Sequence, residues 1–500
     1  MNLLIGDTVA DAATLAPQAT AATLGDDAVS FGALDTDANR VAHTMVELGV
    51  RRGDIVAWWS GSSLRSLAGL LACARLGAVF APISPQLDTE AAAGVLDYVD
   101  PRLVVTDGPR RDAAHDMGRT VVTIDTGRPD DLHELALAAS PAPADAEVHD
   151  SDPHILYLTS GSTGRPKGVL VSHRATFMRS APGAGTFAGA IHGDGGVLSS
   201  FPLYHYGGWH YVIEAWLHRT AVHLVHRADA DNLLAAIGRH RPTAMYCIPA
   251  VWERVLAVPG DLGCLRHADT GTSRVADDLI ERLRRRSPNA TTTVLYGSTE
   301  AGPMAALRPW QLDKQRGSVG RPISPGVLTL AADGEILFRG PTLMNSYLRL
   351  PDATAAAVQD GWYHSGDLGV RDDDGFVYIT GRKREVIRSG GETVAPAEVE
   401  AAIRGLPGVA DVAVVGLPDE RWGEVVCAVV VPEAGAPVPD VTTLRAGLRG
   451  LAGHKHPRRV VAAPAIPRTP ATGQVMRSAV RESVLRDDGS PETGRQKEPA

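Results

Sequence analysis

Three features are scarce in this sequence, and each shortage argues against a class of protein. Only four cysteines occur, none in a CxxC pair, so neither a disulfide framework nor a cysteine-based metal site is expected. No stretch reaches the roughly 18 consecutive apolar residues of a membrane span. Basic residues are outnumbered, and the net charge of −9 argues against a nucleic-acid or anionic-membrane surface.

The beginning of the chain lacks the signals of export. MNLLIGDTVADAA has no basic segment, and its apolar run is too short for the core of a signal peptide. On a prior of roughly 150 residues per domain, the 500 residues are enough for about three domains. We therefore expect a cytoplasmic protein of enzyme size, monomeric or homodimeric, without nucleic-acid or membrane partners.

Two stretches, 31–107 and 194–300, alternate between helix-like and strand-like patterns. The segment 35–50 has apolar residues at helical spacing, with Asp35 or Thr36 as the expected N-cap and Gly49 as its end. Apolar runs such as VFAPIS and LVVTD follow it. Because strand–helix–strand order favours a parallel sheet covered by helices, we predict two parallel αβ sheets in a large N-terminal domain.

The pattern changes after residue 317. Short alternating runs separated by DG turns, as in LTLAADGEILFRG, predict hairpins and a small β-barrel subdomain. The predicted fold is α/β, with an N-terminal domain of residues 1–381 and a smaller α+β C-terminal domain of residues 382–486. The tail 487–500 is polar and lacks aromatic residues, so we expect it to be disordered.

The strongest local motif is YLTSGSTGRPKGVLVSH, residues 157–173. Its glycines expose backbone N–H groups, its hydroxyls add donors and Lys167 adds a positive charge, so the loop can wrap a polyphosphate. It is not a P-loop, because that motif places Gly-Lys-Ser/Thr at the start of a helix, whereas Pro166 precedes this lysine and Gly168 follows it. The alternative is a flexible glycine- and serine-rich surface loop.

Further motifs follow in order along the chain: FPLYHYGG (201–208), YGSTE (296–300), GWYHSGDLG (361–369), ITGRKREVIRSGGETVAPAEVE (379–400) and GLPDERWGEVVCAVVV (416–431). With the glycine-rich loop they resemble the adenylate-forming superfamily of acyl-CoA synthetases, nonribosomal-peptide adenylation domains and luciferases. The resemblance implies a mobile C-terminal domain. It also implies an ATP- and Mg²⁺-dependent ligase that joins an acid to AMP, releases pyrophosphate and passes the acid to a thiol of CoA or of a carrier protein bearing phosphopantetheine.

The resemblance also implies roles for individual residues. Tyr296 offers a flat face for adenine, and Asp367 offers two acceptors for the ribose diol. Glu300 and Thr163 are the implied magnesium ligands, because Mg²⁺ prefers oxygen. The implied nucleotide-binding set is Thr159, Ser160, Gly161, Ser162, Thr163, Gly164, Lys167, Gly271, Tyr296, Gly297, Thr299, Asp367 and Arg382.

A second implied group surrounds the acid and its transfer. His205 would orient the carboxylate, although a packed, hydrogen-bonded histidine is the alternative. Arg384 stands at the hinge of the C-terminal domain. Gly390 and Gly391 would line a narrow path for the thiol, unless they only form a hairpin turn. The implied acid-binding set is His205, Gly208, Trp209, Thr272 and Gly297, and the implied catalytic set is Lys167, His205, Thr299, Glu300 and Gln474.

The closing motif departs from the family at one position. In IPRTPATGQVMRSAV, residues 466–480, Gln474 stands where the resembling enzymes carry a lysine that bridges the carboxylate, the α-phosphate and the ribose. Losing one preorganised donor at developing charge costs roughly 3–4 kcal/mol, or about 10²–10³ in rate. An amide keeps a donor but loses the charge.

Three hypotheses follow from this glutamine. In the first, adenylation is slow or uses another cation, with candidates Arg468, Arg477, Lys455 and Lys383. In the second, the scaffold activates a small inorganic oxyacid such as nitrite for an amine acceptor. In the third, the protein has lost catalysis and binds nucleotide or acid as a regulator.

A second departure concerns the acid. DTGTSRVADD, residues 269–278, stands where the family usually has Gly-Gly-x-Pro along the acyl pocket. Its hydroxyls, on Thr270, Thr272 and Ser273, make that wall more polar than a fatty chain would favour. We therefore predict a small aromatic or polar acid as the substrate.

Overall fold

The computed structural model describes residues 3–159, 166–181, 195–323, 325–469 and 473–488. By compactness the chain divides into a larger unit, Met1–Leu328 with Leu337–His364, and a smaller unit, Thr329–Ile336 with Ser365–Ala500. The predicted domain boundary after residue 381 and the hinge at Arg384 fall within the smaller unit. Both stay predictions, because compactness does not measure motion. From residue 489 onward, the predicted disordered tail lies outside the described residues.

Strands and helices alternate through much of the chain. The strands are β1 (Thr20–Leu24), β2 (Asp27–Ser30), β3 (Ile55–Trp59), β4 (Val79–Ile83), β5 (Leu103–Thr106), β6 (Val121–Thr123), β7 (Pro153–Thr159), β8 (Lys167–Ser172), β9 (Val197–Ser199), β10 (Val222–Leu224), β11 (Ala244–Tyr246), β12 (His267–Gly271), β13 (Val294–Ser298), β14 (Gly302–Leu307), β15 (Arg321–Pro322), β16 (Val327–Leu330), β17 (Glu335–Arg339), β18 (Ser346–Tyr347), β19 (Val358–Gln359), β20 (Trp362–Arg371), β21 (Val377–Arg382), β22 (Ile387–Ser389), β23 (Glu392–Val394), β24 (Val409–Asp419), β25 (Gly423–Pro432) and β26 (Arg459–Ala462). The α-helices are α1 (Ala10–Leu15), α2 (Phe31–Glu47), α3 (Arg65–Leu76), α4 (Thr89–Val99), α5 (Arg111–Asp116), α6 (Leu132–Ala136), α7 (His173–Ser180), α8 (Tyr206–Leu217), α9 (Ala230–His240), α10 (Pro249–Ala257), α11 (Asp277–Arg286), α12 (Pro351–Ala357), α13 (Pro396–Arg404), α14 (Val441–Gly447) and α15 (Arg477–Asp488).

Among the described residues, two sheets lie wholly within the larger unit. One has nine strands in the order β15-β14-β13-β12-β11-β9-β10-β1-β2, and the other has seven in the order β18-β8-β7-β4-β3-β5-β6. The central strands of both sheets run parallel, as predicted, and are almost continuously apolar: β4, VFAPI, is buried along its whole length. Antiparallel pairing occurs at β2, β14 and β15 in the first sheet and at β8 and β18 in the second, whereas the other edge strand of the second sheet, β6, is parallel to β5. The sheets are therefore mixed.

The predicted β-barrel is wrong. Strands β16, β17, β20 and β19 form a five-stranded sheet together with β21, which pairs with β20, and among the described residues this sheet does not close. The turn residues correctly predicted hairpins, since Gly375 N–H donates to the carbonyl of Asp372 between β20 and β21. Closure also depends on strand tilt and stagger, which local turn residues do not encode.

The smaller unit is built around the long antiparallel pair β24 and β25. Its sheet has the order β23-β22-β25-β24, with β26 parallel to β25. Alternate residues pack on opposite faces: Val412 and Val414 belong to one apolar cluster, and Val415 and Cys427 to another. This agrees with the predicted α+β character of this region.

One predicted helix start is wrong. Helix α2 begins at Phe31, and its N-cap is Ser30, whose hydroxyl accepts from the N–H of Ala33 at 3.3 Å; neither Asp35 nor Thr36 caps it. The apolar face extends one turn earlier than predicted because Phe31 and Leu34 are buried in the core. In the part of the chain that the structure describes, no helix is both long and apolar enough to cross a membrane.

Candidate active site

The glycine-rich motif joins β7 to β8, which pair with Thr159 opposite Lys167. The Thr159 hydroxyl donates to the carbonyl of Lys167 at 3.4 Å. Tyr98 lies against the same strand, since its hydroxyl accepts from Gly168 N–H at 3.1 Å and donates to the carbonyl of Leu348 at 2.8 Å. The two ends of the loop are thus held together. The predicted contacts Ser160, Gly161, Ser162, Thr163 and Gly164 lie outside the described residues.

The predicted adenine and magnesium residues share one hairpin. Tyr296, buried, and Gly297, exposed, lie near the end of β13. The hydroxyl of Ser298 then accepts from the N–H three residues later at 3.1 Å, which closes a tight turn into β14. Thr299 and Glu300 are half-buried in this turn. The roles that the YGSTE motif implies for them stay predictions.

Tyr347 connects the hairpin to the glycine-rich motif. The ammonium of Lys167 lies 4.7 Å from the centre of the Tyr347 ring. The hydroxyl of Tyr347 donates to Oε1 of Glu300 at 2.9 Å. A backbone hydrogen bond joins the same two segments, since Met344 N–H donates to the carbonyl of Glu300 at 2.7 Å. The larger unit therefore brings together Lys167 and Glu300, which are far apart in the sequence.

Arg179, in α7, is a site residue that the motifs do not identify. Its side chain is 2% exposed and donates to three carbonyls, of Thr342 at 2.8 Å, Thr299 at 3.1 Å and Glu300 at 3.0 Å. Burial lowers the pKa of Arg179 below its ordinary value. Its guanidinium lies 5.3 Å from the ring of Tyr206. The sequence signal, one arginine within FMRSA, is weak because an arginine near a helix end is usually solvated.

A wall of aromatic rings ends in two hydroxyls. Tyr246 stacks on Tyr211 with ring centres 5.4 Å apart and tilts against Phe201 at 5.5 Å. Its hydroxyl lies 3.0 Å from the hydroxyl of Thr272, just beyond β12. Tyr246 was not predicted as a site residue, whereas Thr272 was. All three rings are buried in the apolar core, and the two hydroxyls form one polar edge of this aromatic cluster.

The chain is strained at Thr272. Its φ is +69°, in the left-handed region that β-branched residues rarely adopt, at a typical cost of about 1–3 kcal/mol. The preceding Gly271 lies so close to β13 that a side chain there would collide with the carbonyl of Leu295. A strained threonine next to an obligatory glycine is a pattern found at functional sites.

His205 is the N-cap of α8. Its Nδ1 accepts from Gly207 N–H at 3.3 Å, and its ring stacks on Phe201 with centres 5.8 Å apart. Burial lowers the pKa of His205 to about 4, so the ring is neutral near pH 7. Because Nδ1 accepts, the ring proton resides on Nε2, which is then available as a donor. The packed, hydrogen-bonded alternative is thus correct as local structure, and the role of His205 towards the carboxylate stays a prediction.

Two other predicted acid-binding residues lie in the core. Trp209 is 0% exposed and meets Phe80 edge-on, with ring centres 5.1 Å apart. Gly208 is in the first turn of α8, packed against the carbonyl of Pro202. The structure thus places the bulk of Trp209 among core residues. Its role towards an acid stays a prediction, which this burial does not favour.

The predicted ribose residues lie in the smaller unit. Asp367 and Arg382 are cross-strand partners on β20 and β21, with Arg382 Nε 3.1 Å from Asp367 Oδ1. Asp367 is also fixed through its backbone, since its N–H donates to the hydroxyl of Ser365 at 3.1 Å. The two groups are adjacent, as one ribose would require.

Gln474 lies beside an antiparallel bridge between Arg468 and Val475. Thr469 N–H donates to the carbonyl of Gln474 at 2.8 Å, and the Thr469 hydroxyl accepts from Gln474 N–H at 3.1 Å. Arg468 donates to the carbonyl of Gly473 at 3.0 Å. Residues 470–472 lie outside the described residues. The backbone of Gln474 is therefore fixed by its own loop.

The four cations offered as substitutes for a lysine all belong to ion pairs of the smaller unit. Arg468 pairs with Asp411 at 2.7 Å, and Lys455 pairs with Glu398 at 2.7 Å. The remaining pairs are Arg477 with Glu400 at 2.7 Å and with Glu385 at 3.1 Å, and Lys383 with Asp333 at 2.7 Å and with Glu335 at 2.9 Å. A substitute would first have to leave its carboxylate, which costs about 0–1 kcal/mol for an exposed pair, so the substitute-cation hypothesis stays a hypothesis.

The predicted hinge and thiol residues lie near one another in sequence. Arg384 is exposed between β21 and β22. Gly390 and Gly391 form the turn of the β22–β23 hairpin with φ of +61° and +86°. A side chain on Gly390 would collide with the ring of Trp422, so glycine is required there by packing. The hairpin alternative is thus correct as local structure, and the thiol path stays a prediction.

The residues present fit a magnesium ion in a limited way. Among the residues described, His, Cys, Asp and Glu side chains form no group of three or more that could hold a metal. Mg²⁺ commonly takes one or two carboxylates and fills its remaining positions with phosphate and water. The carboxylate of Glu300 suits that pattern, and Thr163 lies outside the described residues.

Comparison with known proteins is consistent with this geometry. The indoleacetate–CoA ligase of Aromatoleum aromaticum is 35% identical over 95% of this chain and 97% of its own. ATP-bound MatB from Rhodopseudomonas palustris is 29% identical, with a TM-score of 0.87 over 97% of this chain and 99% of that one. The Bacillus subtilis o-succinylbenzoate coenzyme A synthetase in complex with ATP and magnesium is 26% identical, with a TM-score of 0.83 over 94% and 98%.

Family models match both parts of the chain. The AMP-binding enzyme model matches residues 9–348, and the AMP-binding enzyme C-terminal domain model matches residues 398–472. The predicted superfamily, with a large N-terminal domain followed by a smaller C-terminal one, is confirmed. The chain belongs to the AMP-binding enzyme family.

Proposed function

We propose that this protein is an ATP-dependent, AMP-forming ligase that activates a small aromatic or polar acid and passes it to a thiol, with CoA as the expected acceptor. In the first step a carboxylate oxygen of the acid attacks the α-phosphorus of ATP, and the bond to pyrophosphate breaks. In the second step the thiol sulfur bonds to the acyl carbon, AMP leaves with the anhydride oxygen, and the thiol proton passes to water.

Each described group has a role in this scheme. Lys167 neutralises phosphate charge, Thr299 donates to the α-phosphate, and neutral His205 donates from Nε2 to the acid. Glu300 would hold a magnesium ion, which supplies charge to the phosphates when bound. In the smaller unit, Asp367 and Arg382 are proposed to bind the ribose.

The hydroxyl pair of Tyr246 and Thr272 carries the proposal of the acid class. It lies 3.0 Å apart at the edge of an aromatic wall, and Thr272 adopts a strained backbone to present its hydroxyl there. Such a wall favours an aromatic ring with a polar substituent over a long alkyl chain, because a flat ring packs on aromatic faces and a polar substituent can exchange hydrogen bonds with the hydroxyl pair. The full-length relative named above is likewise a ligase of an aromatic acid, indoleacetate.

The test is a screen of AMP release against pairs of acid and acceptor, with ATP and Mg²⁺ present throughout. The acids are indole-3-acetate, hydroxycinnamates, benzoate, palmitate and nitrite, each with CoA and with an amine. We expect turnover with aromatic acids and CoA, little with palmitate, and none for Lys167→Ala. Turnover of palmitate alone would overturn the acid class. Turnover that requires nitrite and an amine would favour the oxyacid hypothesis, and ATP binding without any turnover would favour the regulator.

A further inference from the structure

We infer that Tyr347 is a positioning residue that holds Lys167 and Glu300 apart and in place for the phosphates and their magnesium ion. The inference rests on the proposed function, in which these two residues serve the nucleotide. Tyr347 belongs to neither sequence motif and touches both of their charged side chains.

The strand register explains how one side chain reaches both. Strand β18 runs antiparallel to β8, with Tyr347 opposite Val169. Lys167 is two residues from Val169 along β8 and so projects from the same face, diagonal to Tyr347. The side chain of Tyr347 is 7% exposed, which limits its freedom to move. The ring accordingly faces the ammonium at 4.7 Å while the hydroxyl reaches Glu300 at 2.9 Å.

The two contacts use different parts of the tyrosine. The ring face is the negative end of the aromatic quadrupole and attracts a cation. The hydroxyl donates a charge-assisted hydrogen bond to the carboxylate. Both opposite charges contact this one side chain, and a direct lysine–carboxylate pair would leave each group less able to bind phosphate or metal. Tyr347 thus gives each charged group a partner other than the opposite charge.

The backbone of Glu300 has separate anchors, which makes the side-chain role testable. Its carbonyl accepts from Met344 N–H at 2.7 Å and from Arg179 at 3.0 Å. Removing the Tyr347 hydroxyl therefore frees the carboxylate while the hairpin stays attached. Tyr347→Phe removes the contact to Glu300 and keeps the ring under Lys167, whereas Tyr347→Leu removes both contacts.

Tyr98 provides a matched control. Its hydroxyl also bridges the same part of the fold, but both of its partners, Gly168 N–H and the carbonyl of Leu348, are backbone groups. If the Tyr347 hydroxyl acted only through packing, Tyr347→Phe and Tyr98→Phe would have similar effects. If it positions Glu300, only Tyr347→Phe changes the response to Mg²⁺.

The experiment is calorimetric titration of the full-length protein with ATP at a series of free Mg²⁺ concentrations. We expect Tyr347→Phe to raise the Mg²⁺ concentration for half-maximal ATP binding by about fivefold, because the freed carboxylate is less well placed for the metal. Tyr347→Leu should in addition weaken ATP binding at saturating Mg²⁺ by about tenfold, because Lys167 loses its support. Tyr98→Phe should leave the Mg²⁺ requirement unchanged.

The outcomes separate the two claims. An unchanged or lower Mg²⁺ requirement in Tyr347→Phe overturns the inference while the proposed function stands. An equal shift in Tyr98→Phe also overturns it, since packing then explains both. If the wild type binds no ATP at any Mg²⁺ concentration, the proposed function fails and the inference with it. Thermal unfolding of every variant, measured in parallel, identifies any that does not fold.

Discussion

Two groups of charged side chains, one in each unit, are held in different ways. In the larger unit, Arg179 is 2% exposed and binds three carbonyls, and Glu300 takes a hydrogen bond from a buried tyrosine. In the smaller unit, Arg468 and Lys383 are 37% and 48% exposed and are held by carboxylates at the surface. Buried hydrogen bonds fix a geometry because their loss leaves groups without partners, whereas exposed ion pairs contribute only about 0–1 kcal/mol and exchange readily.

This difference suits the two proposed roles. A phosphate and metal site benefits from groups that are already in place before the nucleotide arrives. A domain that changes partners between two half-reactions needs contacts that are cheap to break and remake. The exposed pairs of the smaller unit suit that proposed role. The four cations considered as substitutes for a lysine at Gln474 are each paired with a carboxylate.

The largest effect is expected for Arg179→Ala. The carbonyls of Thr342 and Thr299 would lose the arginine as donor, and that of Glu300 would keep only Met344 N–H, so the free energy of unfolding should fall by about 3–5 kcal/mol, measured by urea denaturation. The matched control is Lys455→Ala, which breaks a partly exposed pair with Glu398 and should cost less than about 1 kcal/mol. Similar losses from both variants would remove the contrast between buried and exposed contacts. Arg179→Lys should recover only part of the loss, because lysine lacks the planar fork.

Gln474→Lys tests the charged groups of the smaller unit by adding a cation to its closing motif. The proposal predicts that a lysine there raises acid-dependent ATP–pyrophosphate exchange by about tenfold or more, since it adds a cation where negative charge develops. Transfer of a supplied acyl adenylate to CoA should change by less than about twofold, because the charge acts in the first step. Gln474→Met, which removes the amide donor, should lower exchange. If the wild type already exchanges as fast as Gln474→Lys, another cation serves, and an ion pair such as Arg468–Asp411 must open to supply it.

The sequence predicted local structure where short-range chemistry dictates the geometry. The DG turns predicted hairpins such as β20–β21, and the hairpin alternative for Gly390 and Gly391 is correct. The sequence could not show that Arg179 reaches the carbonyl of Thr342, because that contact joins positions 163 residues apart. The contacts of Tyr347 are likewise between residues far apart in the sequence, so the motifs do not identify it. Trp209 was predicted to bind the acid from its place in a motif, but the sequence does not distinguish a tryptophan that lines a pocket from one that fills a core.

The smallest expected effect tests the strained edge of the acid site. Thr272→Gly and Thr272→Ala both remove the hydroxyl that meets Tyr246, but only glycine is unstrained at a φ of +69°. Thr272→Gly should therefore be more stable than Thr272→Ala by about 1 kcal/mol, measured by urea denaturation. Both should lose about five- to tenfold of the kcat/KM preference for a hydroxylated aromatic acid over its unsubstituted analogue. Tyr246→Phe should lose the same preference without relieving strain. If the kcat/KM preference of the variants falls in proportion to their loss of stability, and not with loss of the hydroxyl, the strain at Thr272 serves the fold of β12 and not the recognition of the acid.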